Sequence, residues 1–163
     1  MKRLALKGVL MALAFNPDGT RLAASDGSAI VLWDLETRAV RRSLRGHTKP
    51  LTSLAFSPDG ALLASGSLDG SAMIWDPVSG EMLFQIANEA NPLEVFGVAF
   101  VGDGKTLATR SRAGSVTLWD MDHEHWTELA CSIVNRNLTR EEWERFLPSQ
   151  PYRDACPSAP APR

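Results

Sequence analysis

Residues 56–76 read FSPDGALLASGSLDGSAMIWD, and they contain the signals of a repeat that occurs three times in the chain. Two turn signals interrupt the apolar runs of this stretch. In Pro58-Asp59-Gly60 the proline presets φ and the glycine permits a positive φ, while Asp69-Gly70 is a strong hairpin signal. The stretch ends at a Trp-Asp pair, and such pairs occur at 33–34, 75–76 and 119–120, spacings of 42 and 44 residues (75 − 33 and 119 − 75). This period predicts a supersecondary unit that must stack on its neighbours to bury its apolar face.

Each repeat predicts several short strands separated by turns. In the second copy we expect strands over 51–56, 62–67, 71–75 and 82–87. The first copy repeats this pattern and begins with a strand over 10–15, whereas the third copy predicts three strands, over 95–101, 106–110 and 115–119. Four short strands in a period of about 40–45 residues are typical of one blade of a β-propeller.

Five motifs of the second copy stand in the order and at the spacing of one known family: Gly46-His47, Ser57-Pro58-Asp59-Gly60, Ser65-Gly66-Ser67, Asp69-Gly70 and Trp75-Asp76. On these motifs, residues 1–120 resemble the WD-repeat β-propeller family. The resemblance implies an all-β fold with three propeller blades of four antiparallel strands, at about 8–45, 46–88 and 89–120. Residues 2–7 would form an extra outer strand.

In that family a histidine, a serine or threonine, an aspartate and the tryptophan form hydrogen bonds with one another within a blade. The resemblance carries these roles to His47, Ser65, Asp69 and Trp75. Ser67 is the alternative to Ser65 as the hydroxyl. The other copies depart from the pattern, because Val9 stands where the first copy should have its histidine and Ala113 replaces the hairpin aspartate of the third. We therefore expect the complete network in the second copy alone.

The number of strands leaves the last blade incomplete. The third copy predicts three strands, and typical propellers use about four to eight blades to close a ring. We expect the last blade to be completed by the N-terminal strand of a partner or of a longer chain. Two alternatives follow. Either the chain is the C-terminal part of a longer propeller protein, or two copies form a homodimer that completes a six-bladed ring with two-fold symmetry.

After Asp120 the period of the apolar residues becomes helical. The apolar residues at helical spacing are Trp126, Leu129, Ala130, Ile133 and Val134, which favours an amphipathic helix. Thr139 and Glu142 fit a capping box at the start of a second helix. We therefore predict a small two-helix tail over 121–147 and, because of its prolines, an irregular C-terminus over 148–163.

Residues 122–157 also resemble the C-terminal appendix of large bacterial WD-repeat proteins, in which the propeller follows an NTPase-, kinase- or protease-like effector domain. The residues that carry this resemblance are Trp126-Thr127-Glu128-Leu129-Ala130-Cys131, Arg136-Asn137-Leu138-Thr139, Glu142-Trp143 and Tyr152-Arg153. The resemblance implies a bacterial source and a signalling role.

The composition fits one cytoplasmic domain. The chain has 163 residues, of which 44% are hydrophobic, and no apolar run reaches the roughly 18 residues that a membrane helix needs. Lys7 and Gly8 interrupt what would be the apolar core of a secretory signal. The two cysteines, Cys131 and Cys156, are too few for a disulfide scaffold. We expect no membrane partner, and the redox state of the two cysteines stays open.

Basic residues are concentrated in the first part of the chain. Residues 1–50 carry nine Lys or Arg and four Asp or Glu, whereas the remaining residues carry eight and fifteen. Much of this excess flanks one predicted outer strand, at Arg38, Arg41, Arg42 and Arg45. Such charges protect an edge strand against unwanted pairing, and the alternative is a patch for an acidic partner or nucleic acid. Because no aromatic residues interleave them, we favour edge protection and expect no nucleic-acid partner.

No motif predicts catalysis. Gly102-Asp103-Gly104-Lys105-Thr106 resembles the end of a phosphate-binding loop, but the repeat aligns it with the hairpin turn at Pro58-Asp59-Gly60, and a phosphate loop would need a strand-loop-helix context. His123 and His125 lie two residues apart, so their imidazoles would diverge on a helix and could not share a metal. We expect no enzymatic activity, no cofactor and no metal.

The sequence therefore predicts a non-catalytic protein-interaction scaffold or recognition module. The resemblance implies that a protein or peptide binds the top face, which the loops from the fourth strand to the first and from the second strand to the third form. In this chain those loops contain Arg45, Thr48, Lys49, Leu68, Glu89, Asn91, Glu94, Arg110 and Arg112. The alternative function is that of a C-terminal sensor or regulatory fragment of a larger bacterial effector protein.

Overall fold

The computed structural model describes residues 8–87, residues 94–122 and Arg140. Eleven β-strands in these ranges form three antiparallel sheets. Blade 1 contains β1 (Leu13–Phe15), β2 (Arg21–Asp26), β3 (Ala29–Asp34) and β4 (Ala39–Leu44). Blade 2 contains β5 (Leu51–Phe56), β6 (Leu63–Ser67), β7 (Ser71–Trp75) and β8 (Met82–Ala87). Blade 3 contains β9 (Val95–Val101), β10 (Thr106–Ser111) and β11 (Val116–Asp120). The chain divides into two compact units, Met1–Met121 and Asp122–Arg163.

Consecutive strands of a blade pair with one another, because short turns join them. In the turn between β5 and β6, the N–H of Gly60 donates to the carbonyl of Ser57 at 2.9 Å. Gly60 has a φ of 73°, which residues with a Cβ rarely adopt. The carboxylate of Asp59 accepts from the N–H of Ala61 at 3.0 Å. The Pro-Asp-Gly signal of the sequence thus becomes a tight reversal at one end of the blade.

The first strand of blade 1 is shorter than the predicted strand over 10–15. Regular pairing begins at Leu13, which lies opposite Ala24. Just before it, Oγ of Ser25 accepts from the N–H of Met11 at 2.8 Å and from that of Ala12 at 3.0 Å. The Ser25 side chain therefore accepts from two backbone N–H groups that would donate to the neighbouring strand if the strand pairing were longer.

Successive blades pack face to face through two apolar cores. The first core joins Ala23, Ile30, Leu32 and Leu44 of blade 1 to Leu51, Leu54, Leu63, Met73 and Trp75 of blade 2. The second joins Ala64, Ala72 and Ile74 of blade 2 to Val95, Val98 and Leu107 of blade 3. Because side chains alternate along a strand, Trp75 faces blade 1 and Ile74 faces blade 3. Each blade is therefore held by the burial of its neighbours' apolar side chains.

The two outermost faces of this stack carry exposed apolar side chains. On β1, Leu13 and Phe15 alternate with Ala14, which packs on the first core, so that they face away from blade 2; they are 55% and 57% exposed. On β11 of blade 3, Val116 and Leu118 are 62% and 65% exposed. Exposed apolar patches of this kind mark contact surfaces.

The predicted fold class needs a correction. All eleven elements in the described ranges are strands and no helical element is among them, so the fold is all-β and the two-helix tail is not supported. A helical apolar period is a local signal only, and short helices are marginal unless tertiary packing stabilises them. Blade 3 contains three strands in the described ranges, the number that the third copy predicted, and its completion by a fourth strand from a partner or a longer chain stays a prediction. The predicted outer strand over 2–7, most of the segment 121–147 and the segment 148–163 lie outside the described residues.

Candidate protein-binding face

A chain of hydrogen bonds links four side chains of blade 2. Nδ1 of His47, which precedes β5, is 2.9 Å from Oδ2 of Asp69 in the turn between β6 and β7. Its Nε2 is 2.8 Å from Oγ of Ser65 on β6. Nε1 of Trp75 on β7 donates to the same Oγ at 2.8 Å. The alternative hydroxyl, that of Ser67, instead donates to the carbonyls of the loop before β5 at 3.0 Å.

This network contains a neutral histidine and an ionised aspartate. Burial lowers the pKa of His47, and the hydrogen bond and charge of Asp69 offset this effect only in part. Burial alone would raise the pKa of Asp69, but hydrogen bonds from the Ser71 hydroxyl, the Thr48 N–H and His47 outweigh it and lower the pKa to about 2. In this state Nδ1–H of His47 donates to Asp69 while Nε2 accepts from the Ser65 hydroxyl.

The hydrogen bonds that run from Ser65 through His47 to Asp69 have the same order as those of a catalytic triad. A catalytic serine must reach a substrate, however, and Ser65 is 0% exposed. Its Oγ also accepts the indole N–H of Trp75 and lies 3.3 Å from the carbonyl of Met73. The hydroxyl is thus occupied inside the blade, which fits a role in holding the blade together.

Blade 1 lacks this network. Trp33 is the counterpart of Trp75, and its Nε1 is buried without a hydrogen-bond partner. The strand register gives the reason. In blade 2, Ser65 lies two residues beyond the residue that pairs with Trp75 in the sheet. In blade 1, the residue two beyond the one that pairs with Trp33 is Ala24, which has no hydroxyl. A buried donor without an acceptor destabilises the blade by about 1–3 kcal/mol.

Blade 3 retains half of the network. Nε1 of Trp119 donates to Oγ1 of Thr109 at 2.9 Å, so that Thr109 takes the place of Ser65. Nearby, the guanidinium of Arg112 lies 2.8 Å from the carboxylate of Glu94, and the N–H of Arg112 donates to the carbonyl of Glu94 at 2.9 Å. The loop that carries Ala113 is therefore fixed through an ion pair and a backbone bond. The sequence contained the signal for Thr109, which precedes its tryptophan by ten residues (119 − 109), as Ser65 does (75 − 65).

The structure places seven of the nine predicted top-face residues. Five are exposed: Arg45, Thr48, Lys49, Arg110 and Arg112. Leu68 and Glu94 are half-buried, while Glu89 and Asn91 lie outside the described residues. One contact on this face was not predicted: the guanidinium of Arg110 lies 5.7 Å from the ring centroid of Phe96. This cation–π contact orients an exposed charge.

The suspected phosphate loop is a hairpin turn. The carboxylate of Asp103 accepts from the N–H of Lys105 at 3.0 Å, and Gly104 has a φ of 91°. Among the described residues there is no group of three side chains able to hold a metal ion. No helix of the described residues is long and apolar enough to cross a membrane. His123, His125, Cys131 and Cys156 lie outside the described residues.

Comparison with known proteins supports the propeller fold. Residues 6–34 and 38–76 match the family model of the WD domain, G-beta repeat. Among solved structures, the Cps50 (Swd1) β-propeller domain of Myceliophteria thermophila matches with a TM-score of 0.65 and 28% identity, over 73% of this chain and 38% of that chain. The blades of this chain thus have a WD-repeat, β-propeller-like fold.

Three relatives match parts of this chain, over 64, 82 and 71 residues. WD repeat and HMG-box DNA-binding protein 1 of Xenopus laevis is 44% identical over 64 residues, 39% of this chain and 6% of the relative. Small ribosomal subunit protein RACK1y of Oryza sativa subsp. japonica is 33% identical over 82 residues, 48% of this chain and 24% of the relative. The Retinoblastoma-binding protein 5 homolog of Drosophila melanogaster is 41% identical over 71 residues, 42% of this chain and 14% of the relative. The chain spans less than a quarter of the length of each, and all three organisms are eukaryotes, which gives no support to a bacterial source.

Proposed function

We propose that the chain is a non-catalytic protein-interaction module whose top face binds a protein or a peptide. One observation carries this proposal: a fixed loop backbone presents exposed side chains. The N–H of Thr48 donates to the carboxylate of Asp69 at 2.9 Å, and that carboxylate also contacts His47. Thr48 and Lys49 are nevertheless exposed. A partner would therefore meet a surface that loses little conformational entropy on binding.

Blade 3 supports the same proposal. Phe96 orients Arg110 through the cation–π contact, and the ion pair with Glu94 orients Arg112. Arginine is enriched at the residues that contribute most to protein–protein binding. Arg110 would thus provide an oriented charge on blade 3, and Lys49 an exposed charge on a loop whose backbone is held through its own carbonyl, which accepts from Oγ of Ser67 at 3.0 Å.

The names of the relatives also favour an interaction role. One is a small ribosomal subunit protein and another a retinoblastoma-binding protein homolog, which are names of an assembly component and of a binding protein. The expected absence of a nucleic-acid partner stays a prediction, because a third relative is named a DNA-binding protein. The cytoplasmic location also stays a prediction.

The proposal can be tested with a displayed library of natural peptides panned against the purified chain. We expect enriched peptides whose affinity falls at least tenfold in the double variant Lys49→Glu, Arg110→Glu, since truncation of a central contact costs about 2 kcal/mol or more. The control is Arg38→Glu, an exposed charge reversal in the turn between β3 and β4, at the opposite end of blade 1. Equal binding to all three proteins, or no enrichment at all, would contradict the proposal.

The alternative, a sensor fragment of a larger bacterial effector protein, rests on the resemblance of residues 122–157. Only Asp122 and Arg140 of that segment lie within the described residues. A homodimer that completes a six-bladed ring also stays a prediction. It would cover the exposed apolar side chains of β1 and β11 described above, which is the observation in its favour.

A further inference from the structure

Strand β8 differs from the equivalent strand of blade 1 in what it exposes. Met82, Leu83 and Phe84 follow one another on β8 and are 46%, 48% and 42% exposed. β8 is also the outer strand of its sheet, since it pairs with β7 and with no other strand in the described ranges. An exposed apolar edge strand can pair with a further strand through its free N–H and C=O groups.

The register places the side chains of β8 alternately on the two faces of blade 2. Phe84 lies opposite Ile74, which belongs to the core shared with blade 3. Gln85 lies opposite Met73, which belongs to the core shared with blade 1. A strand added beside β8 would therefore find side-chain contacts on both of its faces, as cross-strand pairing requires.

Blade 1 shows how the same position is protected. The equivalents of Leu83 and Phe84 are Arg41 and Arg42 on β4, 42 residues earlier. Arg42 donates from Nε to the carbonyl of Val78 at 3.0 Å, and Arg41 lies 3.5 Å from the carboxylate of Asp34. The pairing of each outer strand with its neighbour shifts register next to the neighbour's tryptophan. This irregularity therefore does not distinguish β4 from β8. The difference is charge, because β8 contains no charged residue between Met82 and Ala87.

We propose that β8 is a self-association edge, along which two copies of the chain pair antiparallel to form one continuous eight-stranded sheet. In a two-fold pairing each residue of β8 lies opposite a residue of β8 in the other copy. Like charges directly opposite one another are destabilising, so β4 is unsuited to such a contact and the uncharged β8 is suited to it. A partner chosen by opposite charge would have nothing on β8 to recognise. The contact is that of one six-residue strand, below the size of a stable interface, and association is weak and concentration-dependent.

The test compares the mass of the chain in solution with that of a variant that copies β4. The combined substitutions Leu83→Arg and Phe84→Arg give β8 the two arginines of β4 at positions that are already about half exposed. Light scattering on a sizing column covers loading concentrations from about 1 µM to about 1 mM, the range of weak association. We expect the mass of the original chain to rise from one copy towards two and that of the variant to stay at one. Circular dichroism and melting confirm that the variant is folded.

Two further variants distinguish pairing through β8 from association through another surface of the chain. Leu118→Arg places a charge on the exposed face of blade 3 and removes a ring-closing dimer but not pairing through β8. Arg41→Leu with Arg42→Phe transfers the apolar pair to β4, and we expect it to raise the mass beyond two copies. The proposal is overturned if the original chain stays monomeric at every concentration. This holds even if the monomer binds added apolar peptides, since the partner would then not be a second copy of the chain. It is equally overturned if Leu118→Arg abolishes the dimer while the β8 variant retains it.

Discussion

The substitution Ala24→Ser should repair blade 1. In the structure, Nε1 of Trp33 is a buried donor without an acceptor, and the register places residue 24 where blade 2 has Ser65. Ser65 accepts from Trp75 at 2.8 Å and lies 3.3 Å from the Met73 carbonyl. A serine at residue 24 would accept from Trp33 in the same way and donate to the carbonyl of Val31, the equivalent of Met73.

The expected gain follows from two terms. Restoring an acceptor removes part of the cost of about 1–3 kcal/mol for an unsatisfied buried donor. Burying the new hydroxyl takes back part of that gain, since a buried hydroxyl costs about 1–3 kcal/mol unless it is fully bonded. We expect a net gain of about 1 kcal/mol in the free energy of unfolding, equivalent to a rise of about 3 °C in Tm for a chain of this size.

The assay is thermal and urea unfolding followed by circular dichroism, with a double-mutant cycle as control. In a Trp33→Phe background there is no indole N–H to satisfy, so we expect Ala24→Ser to lose its benefit there. The coupling between the two substitutions should be about 1 kcal/mol. A Tm that is unchanged or lower in Ala24→Ser, or the same gain in the Trp33→Phe background, would refute the reasoning.

Three other predictions concern blade 2. His47→Ala should lower the free energy of unfolding by about 1–3 kcal/mol, because Ser65 and Asp69 lose a buried partner; an unchanged urea midpoint would contradict this. Burial lowers the pKa of folded His47, so the unfolded chain binds its proton more readily, and stability should fall as pH drops below about 6.5. His47→Ala should have a flatter stability profile in that window, and an identical profile would argue against it. Gly66→Ala should destabilise by about 1–3 kcal/mol, because a Cβ there would lie 2.8 Å from Cγ1 of Val95. The control Gly97→Ala, whose Cβ would lie no closer than 3.5 Å to Arg110, should change Tm much less.

The repeat made most of the strands predictable because turn residues and alternation are local signals. The predicted strands over 82–87 and 95–101 coincide with β8 and β9. Long-range contacts limited the rest. The strand over 10–15 is shortened by a hydroxyl from β2, and no local pattern announces that contact. The helical tail was predicted from an apolar period and a capping box, both of them local signals, without knowledge of what its apolar stripe would pack against.

At the candidate site, too, local sequence signals predicted some contacts, and the contacts that depend on the fold were missed. The motif order pointed to His47 and Asp69, whose side chains lie 2.9 Å apart. The contact of the Ser71 hydroxyl with Asp69, at 2.7 Å, was missed because it arises from the shape of the turn. The orphaned indole of Trp33 could have been found by aligning the copies, since Ala24 stands at the hydroxyl position. The cation–π contact of Arg110 with Phe96 had no sequence signal, because it depends on the pairing of β9 with β10.

A photo-crosslinking amino acid, placed at one position at a time in the native host, can show whether a partner binds the top face. Position 49, in the loop before β5, and position 38, at the opposite end of blade 1, are both exposed. Because an interaction module holds its partner against the top-face loops, we expect a discrete crosslinked protein from position 49 and none from position 38. A crosslink from position 38 alone, or equal crosslinks from both, would contradict a top-face recognition module.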